Sequence, residues 1–148
     1  MDLILWRHAE AEDGVPDLAR TLTPKGLKQA ARMGDLLRPL LPQGTRILVS
    51  PAKRTQQTAQ ALTPEFSTEP AIAPGAAPQA VLSAAGWPHG TGCVMLVGHQ
   101  PSLGIAAALI MTGREHGWKI TKSGVWWFSR DPADAQVSLR LVISADQL

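Results

Sequence analysis

One cysteine, Cys93, is the only thiol in this 148-residue chain. An intramolecular disulfide is therefore excluded. Because Cys93 lies inside an apolar run, it is expected to be a buried structural thiol in a reducing, cytoplasmic setting. Charge is also scarce, at 18% of residues, but an apolar fraction of 45% is enough for a real core, so the low charge does not mark disorder. The net charge is +2, although the sequence pI is about 9.0. That excess is too small for a general nucleic-acid or membrane-surface binder, so neither partner is expected, and basic residues matter only where they converge. No apolar run approaches the length that spans a bilayer. The opening run, Leu3 to Trp6, is too short for a signal peptide and reads as a buried strand. Repeats, linkers and low-complexity tails are missing as well, and residues 1–148 fit one domain. His8, His89, His99 and His116 show no close ligand spacing and no carboxylate cluster accompanies them, so no metal or other cofactor is expected. His89 and His116 are expected in surface loops.

What is present is a regular alternation. Leu3 to Trp6, Ile47 to Val49 and Val94 to Val97 are continuous apolar runs, as expected of strands buried on both faces of a parallel sheet. A helical pattern follows each of them. Thr23-Pro24 is a helix start ahead of a stripe through Leu27, Ala30, Ala31, Gly34, Leu37 and Leu41. Ser50-Pro51 repeats that start before 52–62, and Pro101 before Leu103, Ala106, Ala107 and Ile110. A short strand near 69–73, a helix near 78–84 and late strands at 124–129 and 137–143 complete the expectation. In the last pair, Trp126 and Trp127 point to opposite faces. The fold class is α/β: a three-layer sandwich with a mostly parallel central sheet and helices on both faces.

Position turns this pattern into chemistry. Arg7-His8 follows the first strand, Ser50 to Arg54 the second, and Gly98-His99 the third. In open α/β sheets ligands bind outside the carboxyl ends of parallel strands. Two histidines and two arginines are thus delivered to one rim, and Arg54 lies in a helix first turn, where free N–H groups favour an anion. These residue types suit phosphoryl transfer. A neutral imidazole can attack phosphorus and later release it. Guanidinium forks match phosphate oxygens and stay charged at any relevant pH. Such catalysis rests on positioning and charge stabilisation. Lys25, Lys28 and Arg32 read as a solvated helix face, Glu10 and Glu12 as solvated loop carboxylates, and Thr58 as a side chain one turn from Arg54 that either orients it or packs.

The string Leu5-Trp6-Arg7-His8-Ala9-Glu10-Ala11 resembles the "RHG/RHA" signature of the histidine phosphatase superfamily. Leu22-Thr23-Pro24-Lys25-Gly26, Val49-Ser50-Pro51 with Arg54-Thr55 and Thr58-Ala59, and Val97-Gly98-His99-Gln100-Pro101 resemble its later motifs, in order. The short length and the Arg20 to Thr23 lead-in are most similar to the SixA branch, the phosphohistidine phosphatases. The resemblance implies the phosphoglycerate mutase-like fold without its large helical insertion. It implies His8 as the phosphorylated nucleophile, Arg7 and Arg54 as grips on the phosphoryl oxygens, and His99 as a further clamp, protonated when phosphate is bound. His8 and His99 are therefore expected to have pKa values pushed apart. Arg20 resembles an additional phosphate-side cation of the SixA branch. Ala9 replaces the common Gly of the motif, which is tolerable where the backbone needs no positive φ. Residues 71–75 offer no carboxylate where larger relatives place a general acid. An ester leaving group wants a proton donor, whereas a phosphohistidine needs less help. The implied partner is a phosphohistidine-bearing protein, for example a histidine phosphotransfer domain. A phosphatase of small phosphorylated metabolites and a non-catalytic phosphate-binding module are the alternative functions.

Overall fold

The computed structural model describes residues 1–148. Strands β1 (Asp2–Arg7), β2 (Arg46–Val49), β3 (Ser67–Thr68), β4 (Cys93–Gly98), β5 (Val125–Arg130) and β6 (Val137–Ile143) form one sheet in the order β3-β2-β4-β1-β5-β6. The pairs β3–β2, β2–β4 and β4–β1 are parallel, and β1–β5 and β5–β6 are antiparallel. Helices α1 (Pro24–Leu37), α2 (Lys53–Gln60), α3 (Pro78–Ala85) and α4 (Ser102–Thr112) connect the strands.

The alternation of side chains along β1 builds the layers. Ile4 and Trp6 face Met33 and Leu37 of α1 and Ala59 of α2. Leu3 and Leu5 face Val81 and Ala85 of α3 and Leu103, Ala106 and Ala107 of α4. All four β1 side chains are fully buried, each worth about 1.5–3 kcal/mol of apolar transfer. The chain is thus an α/β three-layer sandwich, with α1 and α2 on one face and α3 and α4 on the other. Trp127 joins the first core and Trp126 packs against the second, as their strand alternation requires. No helix is long and apolar enough to cross a membrane.

Local expectations hold at the first helix start. Thr23 Oγ1 accepts the Gly26 N–H at 2.9 Å, with Pro24 at the first helical position. The buried stripe is Gly26, Ala30, Met33, Gly34 and Leu37, with Ala31 exposed and Leu27 half-exposed. The buried face is thus rotated from the expected one, because α1 packs through glycine against backbone. A Cβ on Gly26 would stand 2.0 Å from the Glu10 carbonyl oxygen. The expected strand near 69–73 is instead the two-residue β3 followed by a 3-10 turn over Pro70–Ile72. Pro70 has no N–H for a ladder, and Glu69 accepts the Ala71 N–H at 3.0 Å to start the turn. β3 is thus a stub, and β2 keeps only Val49 fully buried.

Register then sets the rim. Arg7 of β1 pairs with Gly98 of β4, and Val49 of β2 with Val97. His8, Ser50 and His99, each one residue past these pairs, leave the sheet side by side.

Candidate active site

His8 and His99 meet with ring centroids 5.4 Å apart and planes at 55°. Both are buried, at 9% and 4% exposure. His8 Nδ1 lies 2.7 Å from the Ala9 carbonyl oxygen. A carbonyl can only accept, so Nδ1 carries the proton and, in the neutral ring, Nε2 holds the lone pair. Burial depresses the His8 pKa to about 4, with Arg54, Arg7 and Arg20 pushing the same way and the Ala9 carbonyl partly opposing them. His8 is therefore neutral across the physiological range.

Ser50 holds His99. Its Oγ accepts the Ala52 N–H at 3.3 Å and lies 2.7 Å from His99 Nε2. Of the two neutral tautomers, the one in which Ser50 donates its proton to Nε2 uses that otherwise unspent donor and places the ring proton on Nδ1, a buried nitrogen without a partner. Burial, then Arg54 and His8, press the His99 pKa down to about 3. The two histidines do not have the separated pKa values expected from sequence. Each is buried and faces the same arginines, so both are pushed down.

Arg54 stands in the first turn of α2 and is 4% exposed. Its Nη1 donates to the Asp17 carbonyl oxygen at 2.9 Å and its Nη2 to Asp17 Oδ2 at 3.1 Å. Asp17 Oδ1 accepts from Arg20 Nη1 at 3.1 Å, and Arg20 Nε donates to the Glu12 carbonyl oxygen at 2.7 Å. Arg20 therefore joins the site's edge through Asp17. These two arginines hold the Asp17 carboxyl below the usual range, Arg20 contributing most. Arg7 Nη1 donates to the Ile120 carbonyl oxygen at 3.0 Å. The Nε atoms of Arg7 and Arg54, like His99 Nδ1, are buried without partners. Each such donor costs about 1–3 kcal/mol if nothing ever satisfies it, and all three belong to residues around His8. An anion with several acceptor oxygens is one partner that satisfies donors of this kind.

The sequence reading missed three supports. Ser50 was expected to start α2, but Ala52 caps that helix without a side-chain bond and Ser50 serves His99 instead. Asp17 carries no motif signal, and only folding brings it to Arg54. Ser123, fully buried at φ 56°, accepts the Trp6 indole N–H at 3.2 Å, and its N–H donates to the His8 carbonyl at 3.1 Å. A non-glycine residue in that region stores backbone strain, here beside the histidine. Thr58 makes no hydrogen bond to the Arg54 guanidinium. It donates to the Arg54 carbonyl at 2.7 Å and accepts the Ala9 N–H at 3.1 Å, tying α2 to the residue after His8. Ala9 does not adopt positive φ, so no glycine is required there. Glu10 is less solvated than expected and accepts from Thr23 Oγ1 at 2.9 Å. His89 and His116 are exposed, and no group of three or more His, Cys, Asp or Glu side chains gathers as a metal cage.

Residues 3–77 match the model of the histidine phosphatase superfamily, branch 1. An uncharacterized protein of Picosynechococcus sp. is 33% identical over 136 residues, 84% of this chain and 82% of its own. Three solved structures share the fold. The protein histidine phosphatase SixA complexed with tungstate aligns over 99% of both chains with a TM-score of 0.83 at 23% identity. A protein assigned as phosphohistidine phosphatase SixA from Nakamurella multipartitia aligns over 97% of this chain and 95% of its own, with a TM-score of 0.73 at 26% identity. A phosphoserine phosphatase of Entamoeba histolytica with 3-phosphoglyceric acid aligns over 97% and 96%, with a TM-score of 0.73 at 16% identity.

Proposed function

The chain belongs to the histidine phosphatase superfamily, branch 1, and from that premise we propose that it is a phosphohistidine phosphatase acting on phosphorylated proteins, with all 148 residues forming one domain of that type. The observation that carries the mechanism is the 2.7 Å contact of His8 Nδ1 with the Ala9 carbonyl, which leaves a neutral, unprotonated Nε2. Nε2 attacks phosphorus, the P–N bond of the substrate breaks, and the departing imidazole takes a proton from water. Water then attacks the phosphoryl group on Nε2, which releases inorganic phosphate and restores His8. Arg7 and Arg54 carry the charge that develops on the phosphoryl oxygens. Their unpartnered Nε–H groups and that of His99 Nδ1 suit those oxygens. An incoming dianion also reverses the local field and favours a cationic His99.

The choice of substrate rests on what the site lacks beside its phosphoryl grip. Asp17 is kept ionised by Arg20 and Arg54, Glu10 is bonded to Thr23, and Glu69 is bonded to Ala71. None is a ready donor for an alkoxide leaving group, whereas a phosphoramidate needs little help. The SixA structures, close in fold and length, support the same reading. The fold of the phosphoserine phosphatase keeps small metabolites as the second reading. A merely phosphate-binding module is disfavoured by the free Nε2. Incubation with a phosphohistidine protein and with phosphoserine, following phosphate release from each, tests the assignment. Rapid release from the first and slow release from the second is expected, and the reverse order sinks it.

A further inference from the structure

A cavity opens beside Arg7. It measures about 320 Å³, and its charged lining is Arg7, Lys25, Lys119, Lys122 and Asp146. Lys25 comes from the first turn of α1, and the other two lysines from the segment between α4 and β5. All three lysines are exposed. The chain's ion pairs include neither Lys25 nor Lys119, and Lys122 has only a 3.5 Å contact with Glu10. Four cations thus face two carboxylates, an excess equal to the net charge of the entire chain, +2. The phosphoryl grip does not account for these lysines, but the cavity shares Arg7 with it, and Ser123, the residue after Lys122, donates its N–H to the His8 carbonyl, so the lysines border the residues around His8. Lys119 also edges a further cavity of about 440 Å³ lined by Met111, Trp118, Trp126 and Leu139. The surface leading away from Arg7 therefore passes from basic to apolar.

We propose that this cavity is a subsite for an acidic polypeptide segment, in which Lys25, Lys119 and Lys122 bind carboxylates flanking the phosphorylated side chain of the substrate. This rests on the phosphohistidine-protein reading and adds its specificity. The run from basic to apolar surface suits an extended chain better than a compact metabolite. The contacts are exposed and exchangeable, so they act on encounter and affinity and are screened by salt.

The test uses the full chain and a Lys25→Gln/Lys119→Gln/Lys122→Gln variant. Phosphohistidine peptides with acidic or neutral flanks are compared for kcat/KM at low and high salt. The unphosphorylated acidic peptide is assayed separately as a competitor of p-nitrophenyl phosphate. Wild type is expected to favour the acidic peptide about five- to tenfold at low salt, through KM, on the scale of a few exposed ion pairs. That preference shrinks at high salt, and the variant loses it while keeping wild-type rates on the neutral peptide. The acidic peptide inhibits wild type and not the variant. A wild type without preference, a variant that retains it, or equal loss on both peptides overturns the subsite. If neither phosphohistidine peptide is hydrolysed but the competitor still distinguishes wild type from variant, the subsite stands and the substrate reading falls.

Discussion

Ser50 Oγ lies 2.7 Å from His99 Nε2, where both side chains are shut away from solvent. The bond fixes which ring nitrogen faces the serine and leaves Nδ1 without a partner. Ser50→Ala strands Nε2 without a partner, at a cost of about 1–3 kcal/mol. A fall of about tenfold in kcat/KM is expected from steady-state rates, with a lower urea midpoint. Unchanged rates would mean that Ser50 does not set the His99 tautomer.

Asp17 engages both outer nitrogens of Arg54, so the guanidinium is held before any substrate arrives. Arg54→Ala removes a charge-assisted contact worth about 1.5–3 kcal/mol and should weaken inorganic phosphate inhibition as well as turnover. Arg54→Lys should recover only part of each, because a point charge cannot serve Asp17 and a phosphoryl group as a fork does. Full recovery by lysine would show that geometry at Arg54 is unimportant.

The depressed histidines set two pH dependences. In the proposed mechanism neutral His8 is the reactive form, so the acid limb of kcat/KM should lie near its pKa of about 4, instead of near the ordinary 6.5. A limb near 6.5 contradicts a buried, neutral nucleophile. For stability, the unfolded chain takes up protons at His8 and His99 more readily than the folded one. Their contribution is therefore intact above pH 6.5 and is lost as the pH drops toward 4 and 3. Urea midpoints at pH 7 and pH 5 measure the loss, which added phosphate should reduce.

Gly26 has no room for a methyl group, since its Cβ would meet the Glu10 carbonyl oxygen at 2.0 Å. Alanine is the better helix former by about 1 kcal/mol, but overpacking against backbone costs about 1–3 kcal/mol. Gly26→Ala should therefore lower the melting temperature. It should also reduce kcat, because the displaced segment begins two residues after His8. A stabilised, fully active variant would show that α1 can move away freely.

The gathering of most candidate-site residues was legible because they sit at strand ends, where a sequence pattern carries spatial meaning. Arg7, His8 and His99 follow continuous apolar runs, and parallel register carries the two histidines to one rim. Arg54 follows from the helix behind Ser50. What was not legible depends on contacts between distant segments. Asp17 lies in an irregular loop whose approach to Arg54 has no periodic signal. Ser50 has two chemically sensible uses, a helix start and a histidine partner, and only the position of His99 decides between them. The rotated face of α1 was hidden because Gly26 buries no side chain, so its close backbone approach leaves no apolar mark. The shortened β3 shows propensity overruled by Pro70.

The most direct measurement is rapid quench of the enzyme with labelled phosphohistidine substrate, in wild type and in His8→Ala. Wild type should yield an acid-labile, base-stable phosphoenzyme. His8→Ala should yield none and lose turnover, yet retain most of its affinity for inorganic phosphate, since in the proposed mechanism Arg7, Arg54 and His99 carry the ground-state contacts. A His8→Ala enzyme with near-normal turnover, or a wild type with no trapped phosphoenzyme under single-turnover conditions, would mean that water attacks the substrate directly and that His8 is not the nucleophile.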